Sequence, residues 1–182
     1  DSGLLTTVQD RGRYGYQRYG VPVAGAVDAL AYETANRLLE HEPGAAALEC
    51  TVKGPRLRCL RPVFVAVTGG ELGAIVERDD LGVWKPPPWS SFFLRRGNVL
   101  TFEGRRRGAR AYIAFAGGID VPLVLGSRST YLTSGFGGLS GRSLQAGDRL
   151  CVGATPRRLS PRQAPFLEDE GRETELRIVW GP

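Results

Sequence analysis

The sequence predicts a mainly β fold with one principal helix, and three observations carry that reading. Apolar runs are short and are broken repeatedly by turn formers, of which the chain has 25 glycines and 12 prolines. The runs themselves have the length and the β-branched and aromatic content of strands. Only one stretch, opening at Asp28, repeats its apolar residues at helical spacing. With 182 residues, 42% of them hydrophobic, the chain can fill a core of its own.

The strand candidates, in order, are Leu4–Val8, Ala46–Val52, Val63–Val67, Leu72–Glu77, Val99–Phe102, Ala111–Ala116, Arg149–Val152 and Leu176–Trp180. Turn signals between them argue for a barrel or sandwich. The helix spans about residues 28–40, with Asp28 as its N-cap. Ala31, Ala35, Leu38 and Leu39 fall on one face, and Pro43-Gly44 stops it. Lys85-Pro-Pro-Pro-Trp89 is a stiff extended loop. Arg105-Arg106-Arg107 lies between two strand candidates and reads as a solvated hairpin turn. Residues 154–172 are proline-bearing, charged and aperiodic, as in a linker, and TELRIVWGP after them starts a fresh strand. The expected organisation is a β domain over 1–153, a linker over 154–172, and the first strand of a second, truncated domain over 173–182.

Composition narrows the function. The net charge is +5, and because Lys53 and Lys85 are the only lysines, 24 − 2 = 22 of the basic residues are arginine. No basic stretch interleaves aromatic residues, so nucleic acid is not an expected partner. No run approaches the ~18–20 apolar residues of a membrane helix. The first residues have neither the basic start nor the apolar core of a secretory signal, so a cytoplasmic location is expected. Three cysteines, Cys50, Cys59 and Cys151, lack the spacing of a zinc site and sit in apolar surroundings as small hydrophobes. No metal site is expected.

Several tempting motifs fail on position. The glycine-rich stretch from Gly135 to Ser143 has Phe136 where a Walker A loop needs its first glycine, and Arg142 where it needs lysine. A dinucleotide fingerprint starting at Gly135 would place its third glycine at Ser140. No Gly-x-Ser-x-Gly elbow is present. The single histidine, His41, follows the helix, where a cation complements the helix dipole. Glu49 is a carboxylate inside an apolar strand, either on a solvent face or buried, where its pKa would be raised unless an arginine met it.

What remains is a set of polar turns. In Val8-Gln9-Asp10-Arg11-Gly12-Arg13 a carboxylate stands beside two arginines, as in a turn held by ion pairs, and the segment over 20–28 ends at Asp28, which also reads simply as the helix cap. GGIDVPLVLGSRSTY, residues 117–131, sets Ser127, Arg128, Ser129 and Thr130 directly after an apolar run. Read together, VQDRGRYGYQRYGVPVAGAVD, ANRLLEHEPGAAALECTVKGP, FAGGIDVPLVLGSRSTYL and GGLSGRSLQAGDRL resemble the family called allophanate hydrolase subunit 2, KipA or biotin-dependent carboxyltransferase-like. Its best-defined bacterial members are the C subunits of the ATP-dependent 5-oxoprolinase, and the resemblance runs from about Leu4 to Pro182.

The resemblance implies a cyclophilin-like β-barrel that is the first half of a duplicated chain. It implies work in a complex with a KipI-like companion (the B component of 5-oxoprolinase) and a lactam-utilising protein (the A component). That complex opens 5-oxo-L-proline to glutamate at the expense of ATP, with no cofactor held by this chain and no activity expected of it alone. The alternatives are carboxyl transfer from carboxybiotin in a urea carboxylase or allophanate-type system, and non-catalytic regulation of a kinase-inhibitor protein. Arginine forks suit carboxylates, and hydroxyls suit a developing oxyanion. Arg128, with Ser127, Ser129 and Thr130, is therefore the expected substrate-binding turn, joined by Arg13. The other reading has Arg128 tying loops together through backbone carbonyls. Asp10 and Asp28, in the N-terminal motif, are the expected catalytic carboxylates.

Overall fold

In the computed structural model, which describes residues 1–155 and 158–165, ten strands and one α-helix follow one another with short connections. They are β1 (Leu5–Gln9), α1 (Ala29–Leu38), β2 (Ala47–Thr51), β3 (Leu57–Arg58), β4 (Val63–Glu71) and β5 (Ala74–Arg78). After these come β6 (Gly82–Trp84), β7 (Ser90–Leu94), β8 (Val99–Phe102), β9 (Arg107–Phe115) and β10 (Arg162–Gln163). One sheet has the order β1-β2-β9-β4-β7-β10 and the other β3-β8-β5-β6, with every pairing antiparallel. The mainly β expectation with one helix is met, in two separate sheets rather than one closed barrel.

The period of two along the strands sorts the core into two layers. Leu48, Val65 and Ile113 join Val76, Phe92, Leu100 and Phe102 in the main core. Their neighbours Ala47, Ala66, Tyr112 and Ala114 point the other way, onto α1. Small side chains on both surfaces, including Ala31 and Ala35 of the helix, let α1 lie close to the large sheet. The helix face expected from the sequence is the buried one. Asp28 caps it as expected, accepting the Ala31 N–H on its carboxylate at 2.9 Å.

Four differences from the sequence reading have local causes. β9 begins at Arg107 and pairs with β4 as far as Glu71, so Arg107 belongs to a strand and the turn is narrower than RRR suggests. Arg149–Val152 is not a strand; only a single bridge joins Val152 to Ile119. Ser90–Leu94 is a central strand that the preceding prolines hide. Within the expected linker, Arg162 and Gln163 pair with Ser91 and Ser90 of β7. The expected strand Leu176–Trp180 and the 173–182 segment lie outside the described residues.

Candidate functional site

Strand β1 ends at Gln9, and the next residue is where the polar motifs meet. Asp10 is 5% exposed. Its Oδ1 accepts the hydroxyls of Ser127 and Ser129, each at 2.6 Å, and the Gly12 N–H at 2.7 Å. Its Oδ2 accepts the Arg128 N–H at 2.5 Å. The Asp10 N–H in turn donates to Ser129 Oγ at 2.8 Å. Burial alone would raise the Asp10 pKa, but these hydrogen bonds outweigh it and hold the carboxyl below its usual range.

The turn around Asp10 is closed on every side. Thr130 donates both its N–H and its hydroxyl to Val8 O, at 2.9 and 3.0 Å. Ala26 N–H donates to Asp10 O and Arg13 N–H to Val23 O, each at 2.9 Å, which seats the 23–26 segment against 10–13. That approach requires glycine: a Cβ on Gly25 would stand 2.5 Å from Arg11 O. On the far side, Gly138 N–H donates to Arg128 O at 3.0 Å. A Cβ there would overlap Thr130 Oγ1, and φ is +53°. The glycine-rich loop is thus a cover for this turn rather than a phosphate cradle.

Two arginines lie on the turn in different states. Arg13 is 1% exposed, donates through Nη2 to Ser129 O, and stacks on Phe136 with 4.9 Å to the ring centre. Its Nε and Nη1 have no protein partner among the described residues. Arg128 is half-buried; its Nε donates to Val121 O at 3.0 Å, while neither terminal nitrogen has a hydrogen-bond partner among the described residues. Pro122, Leu123, Leu125 and Gly126 beside it are exposed. The hydroxyls of Ser127, Ser129 and Thr130 are all consumed by Asp10 and Val8.

Of the expected site residues, Asp10, Arg13, Ser127, Arg128, Ser129 and Thr130 converge here. Asp28 sits apart, at the head of α1, where its N–H donates to the Tyr112 hydroxyl at 2.8 Å. That hydroxyl donates to Glu49 Oε2 at 2.7 Å, and Glu49 Oε2 also accepts the Val27 N–H at 2.9 Å. Glu49 is therefore buried, with Arg110 Nη1 3.4 Å from its other oxygen. Burial pushes the Tyr112 phenol far up, and the charge of Glu49 adds to that. Nothing in the sequence marks Tyr112, because a tyrosine in an apolar strand looks like core.

His41 is not a helix-end cation. Its Nδ1 lies 2.6 Å from Asn36 Oδ1, and its Nε2 accepts the Gly117 N–H at 3.1 Å. An acceptor nitrogen requires the neutral ring, with the proton on Nδ1. Burial lowers its pKa in the same sense. Arg142 and Asp148 in the GRSLQAGDRL motif form a two-pronged pair at 2.7 and 2.9 Å, which holds the Asp148 carboxyl down at about 2. Among the described residues no cluster of histidine, cysteine and carboxylates could hold a metal, and no helix is long and apolar enough to cross a membrane.

The sequence profile of the carboxyltransferase domain, subdomain A and B, matches residues 19–182, and the chain belongs to that family. It is 41% identical over 156 residues to the 5-oxoprolinase C subunit of Escherichia coli (strain K12), covering 86% of this chain and 49% of that protein. It is 36% identical over 175 residues to the urea amidolyase of Lachancea kluyveri, covering 96% of this chain and 9% of that one. The crystal structure of Kluyveromyces lactis urea carboxylase superposes with a TM-score of 0.74 at 38% identity, over 83% of this chain and 13% of that chain. The chain thus spans about half the length of the 5-oxoprolinase component and a small part of the larger enzymes.

Proposed function

We propose that this chain supplies the substrate-holding domain of a multi-subunit, ATP-dependent 5-oxoprolinase, with Arg128 receiving the substrate carboxylate. One observation carries the reading: Arg128 is fixed at its backbone N–H by Asp10 and at Nε by Val121 O, and among the described residues its two terminal nitrogens meet no hydrogen-bond partner. An arginine whose stem is already ordered loses little conformational freedom when its fork meets a planar carboxylate. The likeness to the C subunit of 5-oxoprolinase supports the same substrate class. In this reading ATP is handled by the companion subunits.

Asp10 has the role of organiser. A carboxylate that already accepts four hydrogen bonds and titrates low is a weak proton acceptor. Ser127, Ser129 and Thr130 build the turn, Arg13 supports it from beneath, and Asp28 caps α1. The base comes from elsewhere in the complex.

The carboxyltransferase profile and the urea amidolyase likeness favour a second reading, carboxyl transfer from carboxybiotin to urea. The test is glutamate release from 5-oxoproline with ATP, in the complete set of subunits with and without the polypeptide that carries this chain. Release that depends on it supports the first reading. Independence from it, together with biotin-dependent urea carboxylation, selects the second.

A further inference from the structure

The turn that leads into Arg128 is a two-residue hairpin. Val124 N–H donates to Ser127 O at 2.8 Å and Ser127 N–H to Val124 O at 3.2 Å, with Leu125 and Gly126 between them. Both loop residues have positive φ, +52° and +75°. That is the pattern of a type I′ turn, whose first position favours asparagine, aspartate or glycine. Leucine has neither the missing Cβ nor the short polar side chain that opens the left-handed region. It gains little burial in exchange, being 39% exposed. A leucine here costs stability that asparagine would not.

Strain alone assigns no role: Val52, just past β2, has φ of +60° and is 37% exposed. Leu125 differs in its place. Ser127 closes the hairpin, Arg128 follows it, and Arg128 Nε reaches back to Val121 O at 3.0 Å. Residues 121–128 thus carry, on one hydrogen-bonded unit, an exposed strained leucine and an arginine fork whose terminal nitrogens have no partner among the described residues. Sites for small ligands combine an apolar wall with a few placed polar groups. We propose that Leu125 is a specificity-determining residue, packing on the apolar edge of the ring whose carboxylate Arg128 holds. The class of ligand so selected is a small cyclic acid with ring methylenes. Urea, which has neither a methylene nor a carboxylate, gains nothing from this pair. The proposal rests on the substrate reading above and adds to it the residue that reads the ring.

The experiment uses the complete polypeptide in the assembled 5-oxoprolinase. Leu125→Asn suits the turn and removes the apolar contact. Its melting temperature should hold or rise, by up to about 4 °C. The Michaelis constant for 5-oxoproline should rise about 5–10-fold with kcat within about twofold, as when uniform binding is lost. Leu125→Met, which restores apolar bulk, should recover most of that affinity. A residue that only shaped the turn would move the melting temperature and leave the Michaelis constant alone. Arg128→Lys, assayed alongside, separates this proposal from the reading beneath it. An unchanged Michaelis constant in Leu125→Asn with a raised one in Arg128→Lys overturns the proposal and leaves the substrate reading standing. If neither variant changes it, the substrate reading fails and the proposal falls with it. A lowered melting temperature in Leu125→Asn also overturns the proposal, because the rest of the polypeptide would then be what covers Leu125.

Discussion

The Asp10 carboxylate takes the backbone N–H of Arg128 at 2.5 Å, across 118 residues of sequence. The N-terminal strand is thereby made responsible for the geometry of a turn near the other end of the domain. The other oxygen of the same carboxylate holds the two serines that flank Arg128. Asp10 therefore decides where the guanidinium stands without touching it.

Asp10→Asn should be costly although it is nearly isosteric. An amide presents two hydrogens to a nest of donors, so at least one charge-assisted bond is replaced by a clash. Hydrogen bonds to charged groups contribute about 1.5–3 kcal/mol each, so a loss of about 3 kcal/mol is expected. For a domain of this size that is roughly 6–12 °C in melting temperature by calorimetry.

The pH profile of the same variant provides an independent check. The Asp10 pKa is lowered in the fold. Its stabilisation is therefore fully present above the unfolded value of about 3.9 and is lost as pH falls through the lower folded value. Wild type should lose stability faster than Asp10→Asn below about pH 4, and denaturant midpoints at pH 3 and pH 6 would show it.

Ser127→Ala and Ser129→Ala should each destabilise by about 1–3 kcal/mol, because each removes a donor to a buried carboxylate. The two losses should be similar, since each Oγ also accepts a backbone N–H, that of Asp10 for Ser129 and that of Ser129 for Ser127. The double variant should cost less than the sum, as both act on one oxygen.

His41→Gln should alter acid stability in a higher pH window than Asp10 does. The folded His41 pKa is lowered by burial, so the neutral ring stabilises the fold above about pH 6.5. As pH falls below that value the unfolded chain takes up the proton first and stability declines. Melting curves at pH 7.5 and pH 5 should diverge less in His41→Gln than in wild type.

Tyr112→Phe removes one hydroxyl that serves two partners, Glu49 as donor and Asp28 N–H as acceptor. A loss of about 1–3 kcal/mol is expected, with Glu49 left buried and short of a donor. Chemical denaturation with an unchanged slope would show a pure stability effect.

The parts of this fold that are legible in the sequence are those where local pattern and burial agree. The helix is readable because Asp28 caps it and Ala31, Ala35, Leu38 and Leu39 repeat at its period. Strand β8 is readable as a short apolar run between Gly97-Asn98 and Gly104. Ser90–Leu94 is not, because its polar start follows three prolines and its strand character comes from pairing with β4 and β10. The site residues are visible as a dense polar turn and a motif, but their division of labour is not. Ser127, Ser129 and Thr130 look alike beside Arg128 in sequence, and only the position of Asp10, brought in by β1, shows that the hydroxyls face inward. His41 misleads for a related reason: its acceptor role depends on Gly117, which the fold supplies from 76 residues away.

The most direct test of the central claim is the steady-state kinetics of Arg128→Lys in the complete 5-oxoprolinase assembly. A lysine keeps the charge and loses the fork. The expected result is a Michaelis constant for 5-oxoproline raised about 10-fold or more, ~1.4 kcal/mol, with kcat within about threefold and the melting temperature little changed. An unchanged Michaelis constant with a lowered melting temperature would contradict the claim and leave Arg128 as a tie between loops.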